Sequence, residues 1–201
     1  MLELLRREIV DSRVVAAMAQ VPREKFVPEA VRAHAYDDRA LPIGEDQTIS
    51  QPLIVGLMTE ALDLDGSEKV LEVGTGSGYQ AAVLSLLAGE VISVERLAGL
   101  RQQAEEALKA GGYPVKVRSA DAAVGRPDEA PYDAIIVTAA ASTVPDALLD
   151  QLAVGGLLVI PVGTRSQQDL IRIRKYAMGT TRENLGPCGF VPLIGEGGFP
   201  D

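Results

Sequence analysis

Three glycines at alternate positions, Gly74, Gly76 and Gly78, follow a strand-like run, Lys69-Val-Leu-Glu-Val73, and precede a helical pattern that opens at Tyr79. Glycine accepts positive φ and lets a ligand approach the backbone closely. The first turn of the helix leaves N–H groups free to face whatever occupies the glycine turn. The next strand-like run, Glu90-Val-Ile-Ser-Val-Glu95, ends in an acid 21 residues after Gly74. A carboxylate at that place can grip the two hydroxyls of a ribose. The chemistry suggested is nucleotide binding.

Two cofactor classes use such a unit. The dinucleotide fingerprint, G-x-G-x-x-G, surrounds a pyrophosphate with backbone amides. This chain instead has Gly74-Thr75-Gly76-Ser-Gly78, preceded on the strand by Glu72. An acid there repels a pyrophosphate but favours a cationic amino-acid end. S-adenosylmethionine fits, with its sulfonium, ammonium and ribose. A tight turn without a ligand is the competing reading, and a nicotinamide oxidoreductase is disfavoured by the glycine spacing.

Ligands of open α/β sheets lie outside the carboxyl ends of the strands. Asp121-Ala122 after the third strand and Thr138-Ala139 after the fourth fall there, beside Glu72, Thr75 and Glu95. Asp121 could accept a hydrogen bond from an exocyclic amine such as that of adenine, or could simply cap a turn. The acceptor is narrowed by what is missing. Cytosine-carbon methylation needs a Cys near the fourth strand, and amino-group methyltransferases often carry Asn/Asp-Pro-Pro-Tyr/Phe there. This chain has Thr138-Ala-Ala-Ala141. The single His34 and single Cys188 cannot assemble a zinc site, so no metal is expected.

The elements that must hold these residues can be read from periodicity. A helix is expected over 2–19, a turn-like piece over 21–28, and fourteen irregular residues over 36–49. A helix over 51–64 is followed by alternating strands and helices: strands at 69–73, 91–95, 115–118, 133–138 and 157–162, and helices at 79–88, 97–110 and 144–152. A strand with one solvated face is expected over 169–177 and a last strand over 189–194. The alternation predicts an α/β fold with a twisted, mainly parallel sheet and helices on both faces, carrying an N-terminal helical extension. One domain of 201 residues is expected, with 1–64 supplying the helical and active-site loop region and 65–201 the cofactor-binding core. A net charge of −9 argues against a broad nucleic-acid surface. The charged N-terminus is neither a signal peptide nor a membrane span, and one cysteine suits a reducing compartment. A soluble cytoplasmic protein is expected.

One stretch remains, Asp46-Gln-Thr48-Ile49-Ser50-Gln51-Pro52. With Val21-Pro-Arg-Glu-Lys-Phe-Val-Pro28, Leu41-Pro-Ile-Gly44, Leu71-Glu-Val-Gly-Thr-Gly-Ser-Gly-Tyr79, Ser93-Val-Glu-Arg96, Tyr132-Asp-Ala-Ile-Ile-Val-Thr138 and Phe190-Val-Pro-Leu193, it resembles the protein-L-isoaspartate O-methyltransferases, which repair age-damaged proteins. The resemblance covers nearly the whole chain, and Thr-Ile-Ser-Gln-Pro is its specific part. It implies a Rossmann-like methyltransferase sheet with a varied strand order near the C-terminus. It also implies methyl transfer from S-adenosylmethionine to the free carboxylate of L-isoaspartyl residues in proteins and peptides. A monomer is expected. Ser50 matches the family's active-site serine, within a substrate-binding stretch Thr48-Ile49-Ser50. Gly74, Gly76, Glu95 and Asp121 match its cofactor positions. Two departures stand out: Ala122 where the family commonly has glycine, and Asp46 in place of a frequent glycine.

The chemistry suits the residues. A carboxylate with a pKa of about 4 is already ionised at neutral pH, so its methylation requires alignment and exclusion of water rather than a base. Ser50 has a second reading: a serine before Gln51-Pro52 and a periodic helix looks like an N-cap. Methylation of some other carboxylate or small molecule, and a non-catalytic cofactor sensor, are the rival functions.

Overall fold

The computed structural model describes residues 1–120, 124–195 and 198–200. Two helices open the chain, α1 (Leu2–Glu8) and α2 (Ser12–Gln20), where the periodicity predicts one. The break has a local cause. Ile9 is extended, and the Asp11 carboxylate accepts the Arg13 N–H to start α2 afresh, the competition that makes aspartate a cap rather than a helix-interior residue. Two 3₁₀ turns follow, Arg23–Phe26 and Glu29–His34. The expected irregular stretch contains an antiparallel hairpin of β1 (Leu41–Gly44) and β2 (Gln47–Ile49), joined through Glu45 and Asp46. Its alternation was too short to stand out: only Leu41, Ile43 and Ile49 turn inward. Helix α3 (Pro52–Glu60) is shorter than expected, ending in a turn at Asp63, φ +51°.

The core alternates as predicted: β3 (Lys69–Val73), α4 (Tyr79–Leu84), β4 (Glu90–Glu95), α5 (Ala98–Gly111), β5 (Val115–Ser119), β6 (Tyr132–Val137), α6 (Asp146–Gln151) and β7 (Leu152–Gly163). Gly112, at φ +73°, closes α5, the left-handed C-cap that its sequence signals. Two antiparallel strands complete the sheet, β8 (Gln168–Tyr176) and β9 (Gly179–Cys188), giving the order β5-β4-β3-β6-β7-β8-β9. The last strand is therefore misplaced in the sequence reading. Residues 189–194 make only isolated bridges, Pro192 to Ala140 and Ile194 to Phe199. Strand β9 has no buried residue, so it carries no hydrophobic alternation. Its ladder with β8 defines it.

The strands from β5 to β7 are parallel, and strand alternation sorts their side chains onto two faces. Val70, Ala134, Ile136 and Val159 pack with Met58 and Leu62 around α3 and with Leu84 of α4. Leu71, Val73, Ile135, Val137 and Leu158 pack on the opposite face with Leu148 of α6. Helices thus cover both faces. The N-terminal helices extend the first layer, where Leu5, Met18, Phe26 and Tyr79 share a core with Leu100 and Leu108 of α5. The order in which strands are added reverses about β3, with β4 on one side and β6 on the other, which opens a crevice at their carboxyl ends.

Candidate active site

The crevice holds a cavity of about 310 Å³ whose walls come from the glycine turn, β2 and its following loop, the ends of β4 and β6, and Val191–Gly195. All three glycines of the turn have positive φ: +101° at Gly74, +52° at Gly76 and +85° at Gly78. Their reasons differ. An added Cβ at Gly74 would lie 2.5 Å from Thr138 Oγ1, whose hydroxyl sits against the Gly74 carbonyl. At Gly78 it would lie 3.3 Å from both Ala104 and Leu108 of α5. Gly78 serves helix packing and is not part of the cavity wall, whereas Gly74, Thr75 and Gly76 are.

Glu95 closes the turn from the next strand. Its Oε2 accepts the Gly76 N–H at 2.9 Å and its Oε1 the Leu97 N–H at 3.0 Å. The carboxylate is buried yet lines the cavity, so its direction is set before any ligand arrives. Glu72 is fully buried. The β3–β4 register sets it beside Ser93, whose hydroxyl donates to Glu72 Oε2 and also meets the Thr75 hydroxyl. Among the described residues Glu72 Oε1 has no hydrogen-bond partner. The carboxyl is pushed up to about 8, chiefly by burial, with neighbouring Glu95 adding to the rise and the Ser93 hydrogen bond opposing it. A buried carboxyl with one unsatisfied oxygen in a cavity wall is costly and is what an incoming cation would relieve. The residues therefore fit a ligand with a cationic end and a ribose.

The opposite wall is built by the hairpin. Gln47, Thr48, Ile49 and Ser50 all line the cavity, and Ile43 of β1 lies over Gly76. Ser50 is not the cap of α3. Gln51 occupies that position, and the Leu53 N–H is taken by Asp38 Oδ1 at 2.9 Å. The cap comes from fifteen residues upstream, which a local motif cannot reveal. Arg23 also escapes the sequence reading. It is fully buried; its Nε donates to the Ala35 carbonyl at 2.8 Å and its Nη2 to the Ser50 carbonyl at 2.6 Å. Its guanidinium stands 4.9 Å from the Tyr79 ring centre. Burial lowers its pKa to about 10, so it stays charged at neutral pH. Asp121 and Ala122, expected at the adenine end, lie outside the described residues; their neighbours Ala120 and Val124 line the cavity. Asp46 is exposed and off the cavity wall.

The model of the protein-L-isoaspartate (D-aspartate) O-methyltransferase family matches residues 1–198. The chain belongs to that family. It is 53% identical over 199 residues to the protein-L-isoaspartate O-methyltransferase of Geobacter metallireducens, spanning 98% of this chain and 92% of that protein. The Methanoculleus marisnigri enzyme of the same name is 51% identical over 98% of this chain and 90% of its own. Among solved structures, one protein-L-isoaspartate O-methyltransferase superposes with a TM-score of 0.89 at 28% identity, covering 98% of this chain and 66% of that longer one. A Plasmodium falciparum structure described for the same family, in complex with S-adenosyl-L-homocysteine, gives 0.82 at 29% identity over 94% of each chain. Family membership accounts for the shared Rossmann-like sheet. The residue geometry above is this member's own.

Proposed function

We propose that this chain carries out its family's reaction at the cavity described: methyl transfer from S-adenosylmethionine to the free carboxylate of an L-isoaspartyl residue, with Ser50 orienting the acceptor. The observation that carries the reading is one cavity with two unlike walls. The turn wall ends in two carboxyl groups, Glu72 and Glu95, and the hairpin wall offers Thr48, Ile49 and Ser50 without an acid. The cationic cofactor suits the first wall and an anionic acceptor the second.

When bound, S-adenosylmethionine supplies an electrophilic methyl group on a sulfonium. Every other requirement falls on the protein. Glu72 would face the ammonium, Glu95 the ribose hydroxyls, and the amides of Gly74–Gly76 the backbone-proximal part of the ligand. Thr138 holds the turn in shape through the Gly74 carbonyl. The Ser50 hydroxyl donates to the acceptor carboxylate, which is already ionised and needs no base. Transfer gives a methyl ester, and attack by the following backbone amide nitrogen on that ester expels methanol and closes a succinimide.

We read the chain as a single methyltransferase domain in which 1–64 supplies the acceptor wall and the rest the cofactor wall. Its acidity, −9 overall, and its single cysteine suit a cytoplasmic protein that works as a monomer on damaged polypeptides rather than nucleic acid. Among the described residues no helix is long and apolar enough to cross a membrane. The test uses radiolabelled methyl donor and paired peptides that differ only in Asp or isoAsp. Base-labile label on the isoAsp peptide alone is expected; equal labelling, or none, would overturn the reading.

A further inference from the structure

Arg23 is a buried cation without a buried anion to answer it. Among the described residues no carboxylate forms an ion pair with it. Asp38 is close enough to favour the charged form, but its oxygens serve the Leu53 N–H and the Gln51 side chain. Among the described residues Nη1 has no hydrogen-bond partner. Such a charge weakens a fold unless something else requires it, since a well-packed apolar residue is generally at least as stabilising. What it touches is informative. It joins the end of the Glu29–His34 turn, the Ser50 loop and Tyr79, the first helical residue after the glycine turn.

The bond to Ser50 has a consequence for charge. In a trans peptide the carbonyl and the following N–H point in opposite directions. Holding the Ser50 carbonyl toward Arg23 turns its lone pairs away from an acceptor and sends the Gln51 N–H the other way. Left free, that carbonyl could swing toward the cavity and repel a carboxylate. The positive charge behind the peptide strengthens the same preference, because a charge in a poorly polarisable interior is weakly screened.

We propose that Arg23 is a positioning residue for the acceptor: it fixes the Ser50 peptide so that this wall of the cavity selects an anionic group, and its charge adds to that selection. The proposal rests on the isoaspartyl reading above. It concerns acceptor binding; Arg23 meets the cofactor side only through the face of the Tyr79 ring, so acceptor preference and cofactor affinity can be measured apart.

The experiment compares two matched peptides as competitive inhibitors in the radiolabel assay, one ending its side chain in the isoaspartyl carboxylate and the other in the neutral isoasparaginyl amide. Each is measured against wild type, Arg23→Met, Arg23→Gln and Arg23→Lys, alongside the dissociation constant for S-adenosylhomocysteine by calorimetry. In Arg23→Met the preference for carboxylate over amide should fall about tenfold, the scale of one poorly screened charge. S-adenosylhomocysteine affinity should stay near wild type. Arg23→Lys should keep most of the preference, because it keeps the charge. A merely structural role would weaken both peptides equally and leave their ratio alone. An unchanged ratio in a folded Arg23→Met would overturn the proposal. Where that variant does not fold, Arg23→Gln, which keeps amide donors without charge, decides by the same ratio. If wild-type enzyme fails to methylate isoAsp peptide in the first place, it is the proposed function that falls.

Discussion

Ser50 and Glu72 face each other across chemistry that needs opposite charges. For Ser50 the structure separates catalysis from stability, because the cap of α3 is Asp38 rather than the serine. Ser50→Ala is expected to melt within a degree or two of wild type while kcat/KM on isoAsp peptide drops roughly tenfold to a hundredfold, the equivalent of one charge-assisted hydrogen bond. Asp38→Ala should do the reverse for stability, removing about 1 kcal/mol. Paired melting curves and steady-state kinetics check both, and a large melting loss in Ser50→Ala would return the cap to the serine. Glu72 makes a pH prediction. Its carboxyl lies near 8 in the ligand-free fold, above an ordinary 4.5, chiefly through burial. Folding therefore favours its neutral form. The associated stability is complete below the unfolded value and is lost as pH rises through about 8. Glu72→Gln, which cannot ionise, should thus gain on wild type as pH climbs from 5 to 9, without ligand. An ammonium at Oε1 would favour the ionised form, so cofactor binding below pH 8 should release protons, visible as buffer-dependent calorimetric heats. Both effects vanish if Glu72 is ionised throughout. The pairing behind this was half legible: Glu72 and Ser93 are plain in the sequence, but their contact depends on a β3–β4 register that no local pattern reports.

At the scale of elements, the hairpin deserves the closest reading. Its two loop residues, Glu45 and Asp46, both have positive φ, +50° and +55°, as a tight primed hairpin turn demands. A glycine at position 46 would meet that demand without strain. This chain meets it with an aspartate, among the side chains least averse to the left-handed region. Asp46→Gly is expected to raise stability modestly, by about 0.5–1 kcal/mol or a few degrees. Because Asp46 is exposed and off the cavity wall, kcat/KM should not move. Differential scanning calorimetry with kinetics tests this, and a lower melting temperature would show that Asp46 makes a contact worth more than its strain. The departure from glycine at 46 is thus a matter of backbone conformation. The βα units were legible because buried parallel strands are continuous apolar runs between glycines and charged helices. Strand β9 was not, since none of its residues is buried and its existence depends on β8. The broken α1–α2 helix was missed for the opposite reason: hydrophobic period persisted across a break made by one aspartate.

Seen as a whole molecule, the cavity joins parts far apart in the chain: Ser50 from the hairpin, Gly76 from the turn, Glu95 from β4, Thr138 after β6 and Leu193 near the far end. Val191–Gly195 is held there by backbone bonds, Ala140 N–H to the Val191 carbonyl and Leu193 N–H to the Ala140 carbonyl. A chain shortened after Phe190 is expected to keep its sheet, since β9 ends at Cys188, but to bind S-adenosylhomocysteine at least tenfold more weakly, about 1.4 kcal/mol. Circular dichroism and calorimetry on the shortened chain would show it, and full-strength binding would remove this segment from the site. The same layout governs timing during synthesis. The hairpin that presents Ser50 leaves the ribosome well before Leu193, and at roughly 5–20 residues per second the interval is on the order of ten seconds. For that interval the cavity lacks the wall that Val191–Gly195 supplies. A nascent chain therefore completes its cofactor cavity only at the very end of synthesis.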